Sequence, residues 1–162
     1  MNKKLDYYFD KGTEYYEQCK FKKALRLLLK AEKIETGSAS LNIGNIYSDY
    51  AFFQGKKNRK KALLWFKKSI TKDWNAGMFN IAFMYKEAHK FRKSKKWFKK
   101  SLKGGDNETA FELAKLYLME GKIKKAINLL KIFEGNRLEL NISEGVQEDA
   151  LKLLKQIKKN IS

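Results

Sequence analysis

Proline does not occur in the 162 residues. Because proline locks φ and removes a backbone donor, its absence suits a chain made almost wholly of helices. Cysteine and histidine occur once each, as Cys19 and His89. A lone cysteine excludes an internal disulfide, and the two residues together exclude a zinc site of Cys and His ligands within the chain. A His-dependent nucleophile–base pair has only His89 to draw on. No stretch approaches the ~18 apolar residues of a membrane-spanning helix, and Met1–Asp10 has no secretory apolar run. The expected location is therefore a reducing cytoplasm. Arginine is scarce, with Arg26, Arg59, Arg92 and Arg137 the only ones among 36 basic residues.

What is present describes an ordered, strongly basic chain. Hydrophobic residues make up 43% and charged residues 33%, a balance that excludes disorder. The length suits one domain, which at this size hides about two-thirds of its unfolded surface. The 36 basic and 18 acidic residues give a formal charge of +18. Such a charge fits nucleic acid, an anionic surface or an acidic protein. The shortage of arginine weighs against base readout and bidentate phosphate recognition. An excess of Lys beside Ile, Asn, Phe and Tyr is also what an AT-rich bacterial genome would write, with the lysines forming only a solvated face.

The chain repeats itself. Cys19-Lys20-Phe21-Lys22-Lys23-Ala24 recurs as His89-Lys90-Phe91-Arg92-Lys93-Ser94 and as Gly121-Lys122-Ile123-Lys124-Lys125-Ala126, with Arg59-Lys60-Lys61-Ala62 a fourth copy. Each follows a block of a small residue and a tyrosine: Gly12 and Tyr15, Gly44 and Tyr47, Ala82 and Tyr85, Ala114 and Tyr117. The two small residues of a copy stand 12 positions apart in three copies and 18 in the second, which carries six extra residues. From the later small residue to the next copy's first is always 20. A fixed period of this kind is the signature of stacked supersecondary units.

Apolar residues recur at three- and four-residue steps on both sides of each turn, so each copy reads as two helices. The expected pairs are 5–18 with 21–33, 38–51 with 59–71, 75–88 with 91–103, and 107–120 with 123–134. Residues 135–145 read as a loop and 146–159 as a capping helix with Ala150, Leu151, Leu154 and Ile157 on one face. Candidate N-caps are Ser38 or Ser40, Asp73, and Asp106 or Asn107. The small residues at the eight repeat positions would let helices approach closely, and no single pair can bury its apolar face alone. The expected fold is all-α: a right-handed α-solenoid of four antiparallel helix pairs plus a C-terminal capping helix, as one domain over 1–162.

Two blocks resemble a known family. Lys61-Ala62-Leu63-Leu64-Trp65-Phe66-Lys67-Lys68-Ser69 and Asn80-Ile81-Ala82-Phe83-Met84-Tyr85 are similar to the Sel-one-like repeat, a relative of the tetratricopeptide repeat. In the second copy Gly55 and Asn58 stand where that family has Gly and Asp in its longer loop. The other copies read more like tetratricopeptide units. Lys96-Trp97-Phe98 and Gly105 match in the third. The likeness spans about residues 5–134, departs at Ser69, Ser94 and Ser101, and no proline ends any copy.

The resemblance implies that the first helix of each pair lines a concave groove. The implied groove positions are Phe9, Thr13 and Tyr16; Leu41, Asn45 and Ser48; Phe79, Phe83 and Lys86; and Phe111, Lys115 and Leu118. Because the Gly/Ala–Tyr face already supplies a core, a second apolar stripe on these helices marks an interaction site for a protein or peptide. The competing reading packs these residues on a neighbouring copy or the terminal helix. The lysines fall in register elsewhere: Lys22, Lys23, Lys60, Lys61, Lys67, Lys68, Arg92, Lys93, Lys99, Lys100, Lys124, Lys125 and Lys131. These would form a basic stripe on the outer side, and solubility alone would intersperse glutamate. Single-strand binders interleave rings with such a track, whereas here rings are expected inside and charges outside.

Catalysis has little to stand on. His89 and Cys19 share the repeat position of Gly121 and read as turn residues. Gly104-Gly105 lacks the spacing and βαβ setting of a nucleotide loop, and Asp6, Asp10, Glu14 and Glu17 read as a solvated helix end. No catalytic residue, metal or cofactor is expected. Three functions stay open: a non-enzymatic module gripping a protein or peptide in the groove; an immunity or antitoxin-type protein neutralising a toxin, possibly acidic, by one-to-one binding; and an RNA- or anionic-surface-binding protein using the basic stripe.

Overall fold

A computed structural model describes residues 3–35, 37–54, 56–70 and 75–161, with side chains described outside 50–57. The described residues form nine helices, α1 (Lys3–Glu17), α2 (Phe21–Glu32), α3 (Gly37–Gln54), α4 (Lys56–Ser69), α5 (Gly77–Glu87), α6 (Phe91–Lys103), α7 (Thr109–Met119), α8 (Ile123–Leu130) and α9 (Glu144–Ile161). A 3₁₀ turn at Lys131–Glu134 follows α8, and there is no strand among the described residues. Four helix pairs and a terminal helix fall where the repeat places them. The fold is all-α and of the helical-repeat class. Contacts divide the chain into two compact units, Met1–Ile81 and Ala82–Ser162.

One turn recurs in three copies. Cys19, His89 and Gly121 all take positive φ, at 56°, 54° and 69°. The Cys19 N–H donates to the Tyr16 carbonyl and the Lys20 N–H to the Tyr15 carbonyl, both at 2.8 Å. His89 and Lys90 repeat the pair on Lys86 and Tyr85, as Gly121 and Lys122 do on Leu118 and Tyr117. These are the paired bonds that close a helix through a left-handed residue. Glycine adopts that conformation without penalty, while Cys19 and His89 carry a steric cost in holding it.

The second copy differs from expectation. Its six extra residues lengthen the helices, α3 running to Gln54 and α4 starting at Lys56, where a loop over 52–58 was expected. The run Lys56–Lys61 contains no glycine or proline to stop a helix. Gly55 and the candidate cap Asp73 lie outside the described residues. The other expected caps do not cap. Ser38 and Ser40 lie inside α3. Asp106 accepts from the Ser101 hydroxyl (2.9 Å), and Asn107 donates to the Leu140 carbonyl (2.8 Å). At the terminal helix, Ala150 and Leu154 are buried but Leu151 is exposed.

Small residues set the packing in both units. Ala24, Ala62, Ala82, Ser94, Ala114 and Ala126 are fully buried. A Cβ at Gly12 would come within 2.8 Å of Leu28 Cγ, and one at Gly44 within 2.5 Å of the Phe66 ring. The glycines thus admit a Leu and a Phe that larger residues would push out. In the first unit the core is Ala24, Leu28, Ile43 and Ile46, flanked by Phe9, Tyr15, Tyr16, Phe21, Leu25, Tyr47 and Trp65. In the second, Phe98, Leu113, Leu116, Leu130, Phe133 and Leu154 are buried. The terminal helix is held to the 3₁₀ turn, where the Gln147 amide donates to the carbonyls of Phe133 (2.8 Å) and Gly135 (3.1 Å).

Candidate functional site

The residues expected to line the groove are not sealed in the core. Phe9, Thr13, Tyr16, Leu41, Asn45, Ser48, Phe79, Lys86, Phe111, Lys115 and Leu118 are half-buried, and Phe83 is 40% exposed. In the first unit the polar members bridge successive first helices. Asn42 Nδ2 donates to Thr13 Oγ1 (3.1 Å) and the Tyr16 hydroxyl to Asp49 Oδ2 (2.8 Å), joining α1 to α3. Asn80 Nδ2 donates to Asn45 Oδ1 (2.9 Å), joining α3 to α5. Burial, and then the bond to Asp49, hold the Tyr16 hydroxyl protonated far above the usual phenol range. Asn42, Asp49 and Asn80 carry no apolar periodicity, so their part in this face leaves no mark in the sequence.

In the second unit one carboxylate organises the face. Glu112 accepts from Lys86 (2.6 Å) and from Lys115 (2.7 Å). The Lys86 ammonium lies 4.9 Å from the Phe83 ring centre, and that of Lys115 lies 3.9 Å from Phe111. Two ring–cation pairs therefore meet at a single anion. Burial opposes the charge on Glu112, yet the bonds from Lys115 and Lys86 hold its carboxyl below the usual range. Phe111 also meets Phe133 edge to face, with centroids 6.2 Å apart. The terminal helix reaches this face as well: Phe111, Lys115 and Leu118 share a cavity of about 440 Å³ with Asp149, Lys152, Leu153 and Gln156. In the fourth copy the expected groove residues thus face α9 across an open space.

The basic residues Lys22, Lys23, Lys60, Lys61, Lys67, Lys68, Arg92, Lys93, Lys99, Lys100, Lys124, Lys125 and Lys131 are all exposed. The expected separation of rings from charges does not occur. Lys23 lies over Tyr15, Lys61 over Tyr47, Lys93 over Tyr85 and Lys125 over Tyr117, at 5.5, 5.0, 5.7 and 5.8 Å from the ring centres. The last lysine before each repeat alanine or serine thus rests on the tyrosine of its own copy. Trp65 and Trp97 carry Lys68 and Lys100 in the same way, at 5.0 and 4.6 Å. A ring quadrupole holds an ammonium placed this way. These tyrosines are half-buried or buried and still carry a lysine, which a pattern of apolar residues alone does not distinguish.

His89 and Cys19 occupy the left-handed turns already described, Cys19 exposed and His89 edge-on to Phe91 with centroids 5.8 Å apart. Among the described residues no three His, Cys, Asp or Glu side chains gather as metal ligands. Among those residues no helix is long and apolar enough to cross a membrane. Of the carboxylates of α1, Glu14 pairs with Lys11 (2.6 Å).

Stacked helical hairpins closed by paired turns, with small residues at the crossings, define a tetratricopeptide-like fold. Solved structures share it. The chain is similar to "Crystal structure of MamA protein" with a TM-score of 0.58 and 16% identity, covering 98% of this chain and 92% of that one. It is similar to "MamA MSR-1 C2" at 0.56 and 17%, covering 98% and 97%. A further structure, "Crystal structure of MamA", matches at 0.55 and 15%, covering 91% and 92%. No family model matches the sequence, and no curated protein matches it.

Proposed function

We propose that this chain is a non-catalytic interaction scaffold that holds one protein or peptide partner on the face of its first helices. The observation that carries the reading is the Phe83–Lys86–Glu112–Lys115–Phe111 constellation. It offers two aromatic anchors around a fixed polar centre, outside a core that other residues already fill. Aromatic anchors with a few positioned polar groups are the usual composition of an interface hot spot. The absence of enzymatic activity is part of the proposal: the single histidine and cysteine serve as turn residues. An acidic partner, a toxin domain neutralised one to one among them, fits the +18 charge, which speeds encounter. Affiliation with Sel-one-like repeats, as against tetratricopeptide-like repeats in general, rests on the Lys61–Ser69 and Asn80–Tyr85 blocks. A cytoplasmic location goes with the same reading.

The test begins with the tagged protein purified from nuclease-treated lysate at high salt and the partner identified by mass spectrometry. Calorimetry of the purified pair then compares wild type with the Phe83→Ala/Phe111→Ala variant. A loss of affinity of tenfold or more is expected, each truncated anchor costing about 1–2 kcal/mol. Unchanged affinity would remove the first-helix face from the interface.

A further inference from the structure

The first helix pair carries a second surface, unlike the one proposed to bind protein. Tyr7, Tyr8, Lys11 and Tyr15 of α1 and Lys23, Arg26, Leu27 and Lys30 of α2 line a cavity of about 350 Å³. Four cations and three tyrosine rings face one space, and among the described residues no carboxylate lines it. Glu14 reaches Lys11 from outside and neutralises it (2.6 Å). Among the described residues, Lys23, Arg26 and Lys30 have no ion-pair partner. The rings hold two of them, with Lys30 lying 5.1 Å from the Tyr8 centre and Lys23 lying 5.5 Å from that of Tyr15. Lys11 and Lys20 also lie over Tyr15, each at 5.9 Å. Tyr7 stands at the rim, 60% exposed, its ring edge to face with Tyr8 at 5.7 Å between centroids.

We infer that this pocket binds single-stranded nucleic acid, stacking one base on Tyr7 and placing the flanking phosphates against Lys23, Arg26 and Lys30. The cations alone would suit any polyanion. The ring selects among them. An acidic peptide has carboxylates for the cations but no flat π-face for an exposed tyrosine, whereas every base has one. Duplex nucleic acid keeps its bases stacked inside and offers only phosphates. The volume is at the small end for ligand sites and suits one nucleotide and its neighbours. Tyr7 and Tyr8 have no aromatic counterparts at the matching positions of the second copy, where they fall at Ala39 and Ser40, and Arg26 falls there at Leu64.

The test is fluorescence anisotropy of the full chain with a labelled ten-nucleotide oligouridylate, repeated at several salt concentrations. Oligothymidylate, a ten-base-pair duplex and a ten-residue glutamate peptide serve as further probes. Neutralising three phosphates on a single strand predicts a log–log salt slope of roughly −2 from the pocket, and Arg26→Ala/Lys30→Ala should flatten the slope by about 1.4. Tyr7→Ala should weaken oligouridylate binding about tenfold, the value of one stacked base, and Tyr7→Phe should restore it. Lys155→Ala/Lys159→Ala removes the same charge from α9 and should leave the Tyr7 effect in place with a smaller loss of affinity than the pocket pair. Oligouridylate and oligothymidylate binding alike assigns the site to shared base and phosphate chemistry, while a preference for either names the natural strand. The inference is overturned if the duplex or the glutamate peptide binds as tightly, if Tyr7→Ala changes nothing, or if the α9 pair weakens binding as much as the pocket pair. None of these results bears on Phe83 or Phe111, so the protein-binding reading stands or falls separately.

Discussion

At the scale of single residues, the repeat makes its own controls. Ala24, Ala62 and Ala126 are fully buried, and the third copy has Ser94 in that place, also fully buried. Its hydroxyl has no hydrogen-bond partner among the described residues. The other serines that depart from the Sel-one-like pattern are satisfied, Ser69 by the Phe66 carbonyl (2.9 Å) and Ser101 by Asp106 (2.9 Å). Burying an unpaired hydroxyl costs about 1–3 kcal/mol. Ser94→Ala should therefore stabilise the protein by about 1 kcal/mol in denaturant unfolding, while Ser101→Ala destabilises it. Loss of stability in Ser94→Ala would mean that the hydroxyl has a partner. The sequence marks Ser94 as a departure from alanine, but it cannot tell an orphaned serine from a satisfied one. That difference depends on whether an acceptor such as Asp106 lies within reach.

Between elements, the two mechanisms that hold helix to helix make opposite demands on side-chain size. At the crossing of α3 and α4 there is no room. A Cβ at Gly44 would sit 2.5 Å from Phe66 Cδ1, and Phe66 is itself buried. Gly44→Ala gains about 1 kcal/mol of helix propensity and loses more to overpacking, so a net loss of about 1–2 kcal/mol is expected. Phe66→Leu in the same chain should recover part of that loss, a coupling that a double-mutant cycle reads directly. Additive losses would show that the ring does not set the spacing. Between α5 and α7 the link is ionic. Burial opposes the charge on Glu112, but the bonds from Lys115 and Lys86 hold its carboxyl below the usual carboxylate range in the folded state. A depressed carboxylate contributes stability above its unfolded value, and that contribution is lost as pH falls through the folded value. Unfolding midpoints measured from pH 5 downward should fall less steeply in Glu112→Gln than in wild type, and equal slopes would contradict this. The small-residue crossings were legible because they recur at fixed spacing. The ionic link was not, since Glu112 has no acidic counterpart one copy back at Asn80.

Over the whole chain, composition and period carried the architecture, and single polar residues carried what was missed. Absent proline, four copies and constant spacing predict helix pairs, and the described helices fall on them with shifts of a few residues at the ends. The large departure is in the second copy, where α3 runs to Gln54 and the charged and amide residues over 56–60 start α4 where a loop was expected. The surface was legible in part. The expected basic positions are exposed and the expected groove positions mostly half-buried, with Phe9 and Tyr16 packed against the core of the first unit, but the sequence view put rings on one side and lysines on the other. In the structure Lys23, Lys61, Lys93 and Lys125 each rest on the tyrosine of their own copy. The measurement that tests the scaffold reading most directly is amide hydrogen exchange of the chain with and without its purified partner. Slowed exchange in α5 and α7, around Phe83, Lys86, Phe111 and Lys115, is the predicted result. Protection confined to α6 and α8, with α5 and α7 exchanging as they do alone, would contradict it.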